Sequence, residues 1–208
     1  MPVLIYHITH INNLPSIIES GGLMANSRLR QDKIEYLNIA HRHIQDRRGM
    51  THVPCSAGGT LHDYVPFYFA PRSPMLYAIH KNNVDQYSDG QTTILHLVSS
   101  AEAVEAAGLS FVFTNRHPVL YDTKFCDEFK NLYLDNGIDW EIMEAKYWAD
   151  TQEDRDRKSR RQAEFLVHQF FPWELIQEIG VFSIKIEIQV KEILQNLNIP
   201  TPVKVSSK

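Results

Sequence analysis

The sequence predicts a mixed α+β fold, and three observations lead there. Short apolar, strand-like runs recur from Val3 to Ser183. Helical stretches fall between them at irregular intervals, unlike the regular alternation of a doubly wound sheet. No repeat, low-complexity tract or interdomain linker divides the chain. At 208 residues and 43% hydrophobic it is long enough for one buried core and short for two, so residues 1–208 are read as a single domain.

The elements follow in order. Residues 3–8 (Val-Leu-Ile-Tyr-His-Ile) read as a buried first strand, and a short helix begins near Asn13, with Leu14, Ile17 and Ile18 on one face and Gly21-Gly22 as its stop. From Asp32 to about Arg48 the apolar residues Ile34, Leu37, Ile39, Ala40 and Ile44 follow a loose helical period, with basic and polar groups at the end of the stretch. Pro54–Leu61 is a glycine-containing loop, and Tyr64–Ala70 an aromatic strand in which Pro66 suggests an edge or a bulge. Ser73-Pro74 opens a helix as hydroxyl cap and first-turn proline. Thr92–Val98 is a strand, Ser100–Ala107 a helix and Phe111–Thr114 a strand.

Residues from about 115 to 160 are the least regular and most polar, and an excursion of that length inside a compact domain usually carries function. Within it Cys126–Leu134 and Asp139–Tyr147 have helical character, and Gln152–Arg161 is a charge run of the kind that normally forms a solvated face. Gln162–His168 and Glu178–Ser183 are strands, and Ile184–Leu194 is a final helix.

Composition narrows the function. A formal charge of −4 and a pI near 6.2 argue against a broad basic face that grips duplex DNA through its phosphates, so any nucleic acid must be held locally. Cys55 and Cys126 are the only cysteines, too few for a disulfide framework or a cysteine-built zinc site, and both read as small hydrophobes. No run approaches a membrane span and the N-terminus lacks a signal-peptide layout, so a cytoplasmic protein is expected. Phosphate-loop and dinucleotide glycine fingerprints are absent, and neither His7-x-x-His10 nor His41-Arg42-His43 has the spacing of a helical zinc peptidase.

Two polar residues stand out because each interrupts an apolar strand. Glu164 lies in Ala-Glu-Phe-Leu-Val, where alternation places Gln162, Glu164 and Leu166 on one face and Ala163, Phe165 and Val167 on a core face. Spacing alone leaves Glu164 either a surface carboxylate or a group turned into a cleft. His7 in the first strand is open in the same way between core packing and ligand contact, and Thr9 and Asn13 suit turn and cap positions equally.

Three separated blocks carry a resemblance that covers nearly the whole chain: Tyr6-His7-Ile8-Thr9-His10-Ile11-Asn12-Asn13-Leu14 with Gly22-Leu23; His62-Asp63-Tyr64-Val65-Pro66-Phe67-Tyr68-Phe69-Ala70-Pro71-Arg72-Ser73-Pro74-Met75-Leu76-Tyr77; and Gln162-Ala163-Glu164-Phe165-Leu166-Val167. Together they resemble the DarT family, toxins of bacterial toxin–antitoxin systems that ADP-ribosylate bases in single-stranded DNA. The resemblance implies an ADP-ribosyltransferase fold with NAD in a cleft between two small sheets. It implies Glu164 and Arg48 as catalytic groups. His7, Ile8, Thr9, Asn13, Gly22, Leu23, Arg48 and Tyr68 would surround NAD, with Tyr68 on the nicotinamide side. Arg72, Arg116 and His117 would meet the DNA, and residues 115–160 would recognise the acceptor. No metal is expected. A macrodomain antitoxin that removes the modification is implied as partner. Thymine is the family's usual acceptor; guanine, protein or an RNA phosphate are the alternatives this fold would also serve, and a non-catalytic nucleotide- or DNA-binding module is a further one.

Overall fold

Strand β1 (Leu4–His10) runs beside β4 (Ile94–Ser100) over seven antiparallel pairs, from Leu4↔Ser100 to His10↔Ile94, and forms the centre of an eight-stranded sheet. The computed structural model describes residues 2–85, 87–134 and 137–205. The remaining elements are α1 (Leu14–Glu19), β2 (Gly22–Met24), α2 (Asn26–Gln31), α3 (Arg42–Met50), β3 (Tyr64–Tyr68), α4 (Pro74–His80), α5 (Ala101–Ala106), β5 (Phe111–Thr114), β6 (Phe125–Cys126), α6 (Trp140–Glu144), α7 (Arg157–Arg160), β7 (Glu164–His168), β8 (Phe170–Pro172), β9 (Glu178–Val181), α8 (Ile184–Asn196) and β10 (Val203–Val205). The large sheet has the order β10-β9-β4-β1-β3-β7-β5-β6, and β2 pairs with β8 in a second, two-stranded sheet.

The two sheets are therefore unequal in size, and the large one is nearly divided at its middle. β3 matches β7 over five pairs, from Tyr64↔His168 to Tyr68↔Glu164, yet it meets β1 through the single pair Tyr6↔Tyr68. Pro66 explains why. It has no N–H to give to a ladder, and its carbonyl is taken by His7 Nδ1 at 2.8 Å in place of a backbone donor. The proline signal is real, but it marks an internal parting of the sheet and not an outer edge. The cleft opens at that parting.

Both faces of β7 are packed. Phe165 and Val167 join the main core, where Phe165 stacks on Phe111 with centroids 4.9 Å apart, while Leu166 joins a smaller cluster with Val53, Leu61, Tyr64, Val112 and Val119. Burying each such side chain contributes about 1.5–3 kcal/mol. Helix caps follow the sequence: Ser73 Oγ accepts from Leu76 N–H at 3.1 Å at the head of α4, and Ser100 Oγ from Ala103 N–H at 3.2 Å at the head of α5. α8 buries Ile186, Val190 and Leu194 on one stripe. Among the described residues no helix is long and apolar enough to cross a membrane.

Four expectations need correction. The stretch from Asp32 to Arg48 is not one helix: Lys33 has a φ of 56°, the chain to His41 is irregular, and only Arg42–Met50 is helical. Ile34, Leu37 and Ile39 line the cleft wall instead of one helix face, so their loose period was not a helical signal. Cys126–Leu134 is the end of β6 followed by a 3-10 turn at Phe129–Tyr133, and of Asp139–Tyr147 only Trp140–Glu144 is helical, with Asp139 as its cap. The charge run at 152–161 is not simply solvated, because Arg160 is ringed by Asp139, Asp154 and Asp156 and Arg161 is buried.

Candidate active site

A cavity of about 490 Å³ lies at the parting of the sheet, and β1 supplies one wall and β7 another. His7, Ile8, Thr9, Asn13, Gly22, Leu23, Arg48, Tyr68, His117 and Glu164 all line it. Glu164 is the first residue of β7, 3% exposed, and its N–H donates to Thr114 Oγ1 at 3.0 Å. Arg48, 6% exposed, approaches from α3, and its Nη1 donates to both carboxylate oxygens, at 3.0 and 2.8 Å. One nitrogen thus satisfies the pair while Arg48 Nη2 is buried with no partner among the described residues. Burial raises the Glu164 carboxyl above the ordinary carboxylate range, and the Arg48 charge and hydrogen bonds oppose that rise. The pairing fixes the carboxyl against the cavity, and burial gives it more proton affinity than one in water.

Across the parting, the His7 ring is fixed by the Pro66 carbonyl, and burial lowers its pKa to about 4. The ring is therefore neutral with Nδ1–H donating to Pro66, and Nε2 is left as an acceptor. Asn13 has another task than the cap position its neighbours suggested. Its Oδ1 accepts from Leu37 N–H at 2.8 Å, and its Nδ2 donates to Leu37 O at 3.0 Å and to Thr9 Oγ1 at 3.1 Å. Asn13 therefore clamps the irregular segment 33–41 over the cavity. Gly22 (φ 155°) has no alternative residue, since a Cβ there would lie 2.1 Å from Phe171 O. That close approach holds β2 to β8 and brings Leu23 to the cavity wall. Tyr68 lies directly opposite Glu164 in the β3–β7 register, and burial, then the Glu164 charge, raises its phenol pKa.

The residues expected to meet an acceptor divide. His117 lines the cavity, its Nδ1 is buried without a partner among the described residues, and burial followed by the charges of Arg48 and Arg47 lowers its pKa to about 4. Arg116 does not line the cavity: it is ion-paired with Asp122 and, at 3.1 Å, with Asp156. Arg72 lies exposed just before α4, also outside the cavity lining, and its carbonyl accepts from Arg161 Nε at 3.0 Å. Arg161 Nη1 donates onward to the carbonyls of Ile142 and Met143, the latter at 2.6 Å. Arg47 Nη2 donates to Val119 O at 2.7 Å and so fastens α3 to the turn after His117.

Sequence reasoning passed over several lining residues. Lys158 and Gln162 flank Glu164 at the cavity, and the charge run that contains Lys158 gave no sign of it. His62 is buried against Gly49 of α3, where a Cβ would meet its ring at 3.1 Å, and its Nε2 is a further buried atom without a partner among the described residues. His62 stood inside one of the blocks quoted above, but nothing in its spacing gave it a role.

The divided sheet brings a buried, arginine-bound glutamate and a strand histidine to one cavity, and the structures it matches give the fold its class, ADP-ribosyltransferase. The family model described as "ssDNA thymidine ADP-ribosyltransferase, DarT" matches residues 6–208, and the chain belongs to the DarT family. A Thermus sp. (strain 2.9) protein described as a DNA ADP-ribosyl transferase is 51% identical over 194 residues, covering 93% of this chain and 88% of the relative. The structure of Thermus sp. 2.9 DarT in complex with ADP-ribosylated ssDNA superposes with a TM-score of 0.90 at 47% identity, over 99% of this chain and 95% of that one. The same protein in complex with NAD+ gives a TM-score of 0.87 at 44% identity, over 99% and 96%. A Thermosipho africanus protein described as a DNA ADP-ribosyl transferase–DNA ADP-ribosyl glycohydrolase fusion is 24% identical over 196 residues, 94% of this chain and 47% of the fusion.

Proposed function

We propose that this protein transfers one ADP-ribose from NAD to a thymine base of single-stranded DNA, with Glu164 and Arg48 as its catalytic pair, and that it acts as a growth-arresting toxin. The observation that carries the reading is the buried Glu164 carboxylate, held by Arg48 Nη1 and turned toward the cavity that His7 lines from the other side. The cavity suits a dinucleotide. It offers buried Arg48 Nη2 as a donor and neutral His7 Nε2 as an acceptor, both without a protein partner among the described residues, beside the apolar wall of Ile8, Leu23, Ile34 and Ile39.

NAD supplies a ribose whose bond to nicotinamide breaks with positive charge growing on the sugar. Glu164 opposes that charge at close range in a site with little water, where a fixed carboxylate is worth far more than in solution. The acceptor ring nitrogen of thymine must lose its proton as it attacks, and the raised proton affinity of Glu164 fits it to receive that proton. Positioned help of this kind contributes about two to four powers of ten in rate. The nicotinamide leaves with the electron pair of the broken bond, and the new bond to the base nitrogen replaces it. Arg48 then faces a neutral Glu164, and its charge favours return of the carboxylate. His117, neutral and with a buried free ring nitrogen near the same end, would hold the base edge, and Thr9, Gly22, Leu23 and Tyr68 would frame the donor. Arg72 and Arg116 would meet the strand outside the cavity. A single strand presents its bases at little unstacking cost, in keeping with a protein of negative formal charge. The Thermosipho fusion joins a transferase to a glycohydrolase, which supports a reversing macrodomain partner for this chain.

Mass spectrometry of a single-stranded oligonucleotide incubated with protein and NAD tests the reading. Addition of one ADP-ribosyl unit at thymine is expected. Labelled NAD entering only protein, RNA or guanine would replace the acceptor, and no transfer to any of them would remove the function.

A further inference from the structure

One surface outside the cavity has chemistry that the mechanism does not use. α4 begins at the cavity, where Pro74, Met75 and Ala78 are lining residues, and then leaves it. Residues 74, 77, 78 and 81 follow one stripe of a helix, so the stripe that starts at the cavity edge continues outward to Tyr77 and Lys81. Tyr77 is 53% exposed. The Trp148 ring stands edge-on to it with centroids 6.0 Å apart at 89°, the Lys81 ammonium lies 5.5 Å from the Tyr77 centroid, and the His80 ring lies 6.4 Å away.

The pairing of α4 with residue 148 is built in from below. Buried Arg161 links the Arg72 carbonyl to those of Ile142 and Met143, which sets the segment before Trp148 against the head of α4. An exposed tyrosine braced by an indole and flanked by the Lys81 ammonium is what a nucleobase and its phosphate use: a flat π-face for the base and a positive charge for the backbone. A chain with a formal charge of −4 has no broad basic face to hold a strand, so its contacts must be local, and this cluster adjoins the cavity.

We infer that Tyr77, braced by Trp148 and accompanied by Lys81, is a stacking platform for a nucleotide flanking the modified base, occupied by the same DNA strand as it leaves the cavity past Pro74. The inference rests on the proposed acceptor being single-stranded DNA. The platform supplies affinity for strand length without base-edge contacts, so it reads the presence of a neighbouring nucleotide more than its identity.

The test measures kcat/KM at saturating NAD for a minimal thymine-containing strand and for strands extended by several nucleotides toward the 5′ or the 3′ end. The wild type is expected to prefer extension in one direction. Tyr77→Ala should reduce that preference by about ten-fold, the scale of one lost stacked base, while Tyr77→Phe, which keeps the ring, retains it. Lys81→Glu should weaken use of the extended strand in a salt-dependent way. Equal use of minimal and extended strands by the wild type, or an undiminished preference in Tyr77→Ala, overturns the platform. Loss of self-association by sedimentation in Tyr77→Ala with DNA preference unchanged would reassign the surface to a second copy of this chain and also overturn it. Failure of the wild type on every DNA strand is a separate result and refutes the functional reading itself.

Discussion

Replacing Glu164 by alanine should cost stability as well as activity, contrary to what a strand carboxylate beside an open cleft suggests. Glu164 and Arg48 are 3% and 6% exposed, and one guanidinium nitrogen holds both carboxylate oxygens at 3.0 and 2.8 Å. Truncation leaves a buried guanidinium with Nη1 newly unmatched beside Nη2, which already lacks a partner. Removing one member of a buried pair costs about 3–5 kcal/mol. The adjoining cavity admits water to the vacated space, so the lower figure applies, about 3 kcal/mol, or a fall of about 6–12 °C in melting temperature for a chain of this size. Glu164→Gln keeps an oxygen acceptor for Arg48 and should melt close to the wild type, yet lose about two to four powers of ten in transfer because the amide neither balances the sugar charge nor takes the proton. Thermal unfolding followed by circular dichroism, with oligonucleotide transfer measured in parallel, separates the two effects. A Glu164→Ala protein that melts within about 2 °C of the wild type would refute the buried-pair argument, and near-normal transfer by Glu164→Gln would refute the chemical one.

Two further outcomes follow from other parts of the cavity. Asn13→Ala removes the hydrogen bonds that clamp Leu37, worth about 0.5–1.5 kcal/mol each; amides of residues 33–41 should exchange faster and NAD affinity, measured calorimetrically, should fall about ten-fold, whereas unchanged exchange would mean the segment is held by other contacts. Burial holds His7 and His117 near about 4, below the ordinary histidine value of 6.5, so the unfolded chain takes up protons first as pH falls. Their contribution is intact above pH 6.5 and disappears as pH drops toward about 4; urea midpoints should decline across that window, and a flat profile would contradict it.

Much of this was legible in the sequence. Strand periodicity located β1, β3, β7 and β9, and the Ser73-Pro74 cap located the head of α4, because these are local signals that the tertiary structure had no reason to override. The residues expected around NAD reach one cavity because β1 and β3 of the large sheet, β2 of the small one and helix α3 all border it. What sequence could not give is anything that depends on a partner distant along the chain. The wall at 33–41 has a loose apolar period, but Asn13 pins it at Leu37 as irregular chain over the cavity. Gly22 needs no explanation until Phe171 O is found where its Cβ would go. Arg116, expected to meet DNA, has its guanidinium shared between Asp122 and Asp156, six and forty residues along. Pro66 was read correctly as a defect in pairing, but a defect inside a sheet and one at its edge look alike in one dimension.

Arg161 is the feature with the widest consequence. It is a buried cation that spends its donors on main-chain oxygens from both sides, and no carboxylate among the salt bridges of the described residues answers it. Main-chain oxygens are indifferent to the side chains they carry. The staple therefore holds whatever side chains residues 142 and 143 carry, while the carboxylate three positions after Arg161 stays in register with Tyr68. Substitutions at those two positions thus leave the anchorage of the strand that follows untouched.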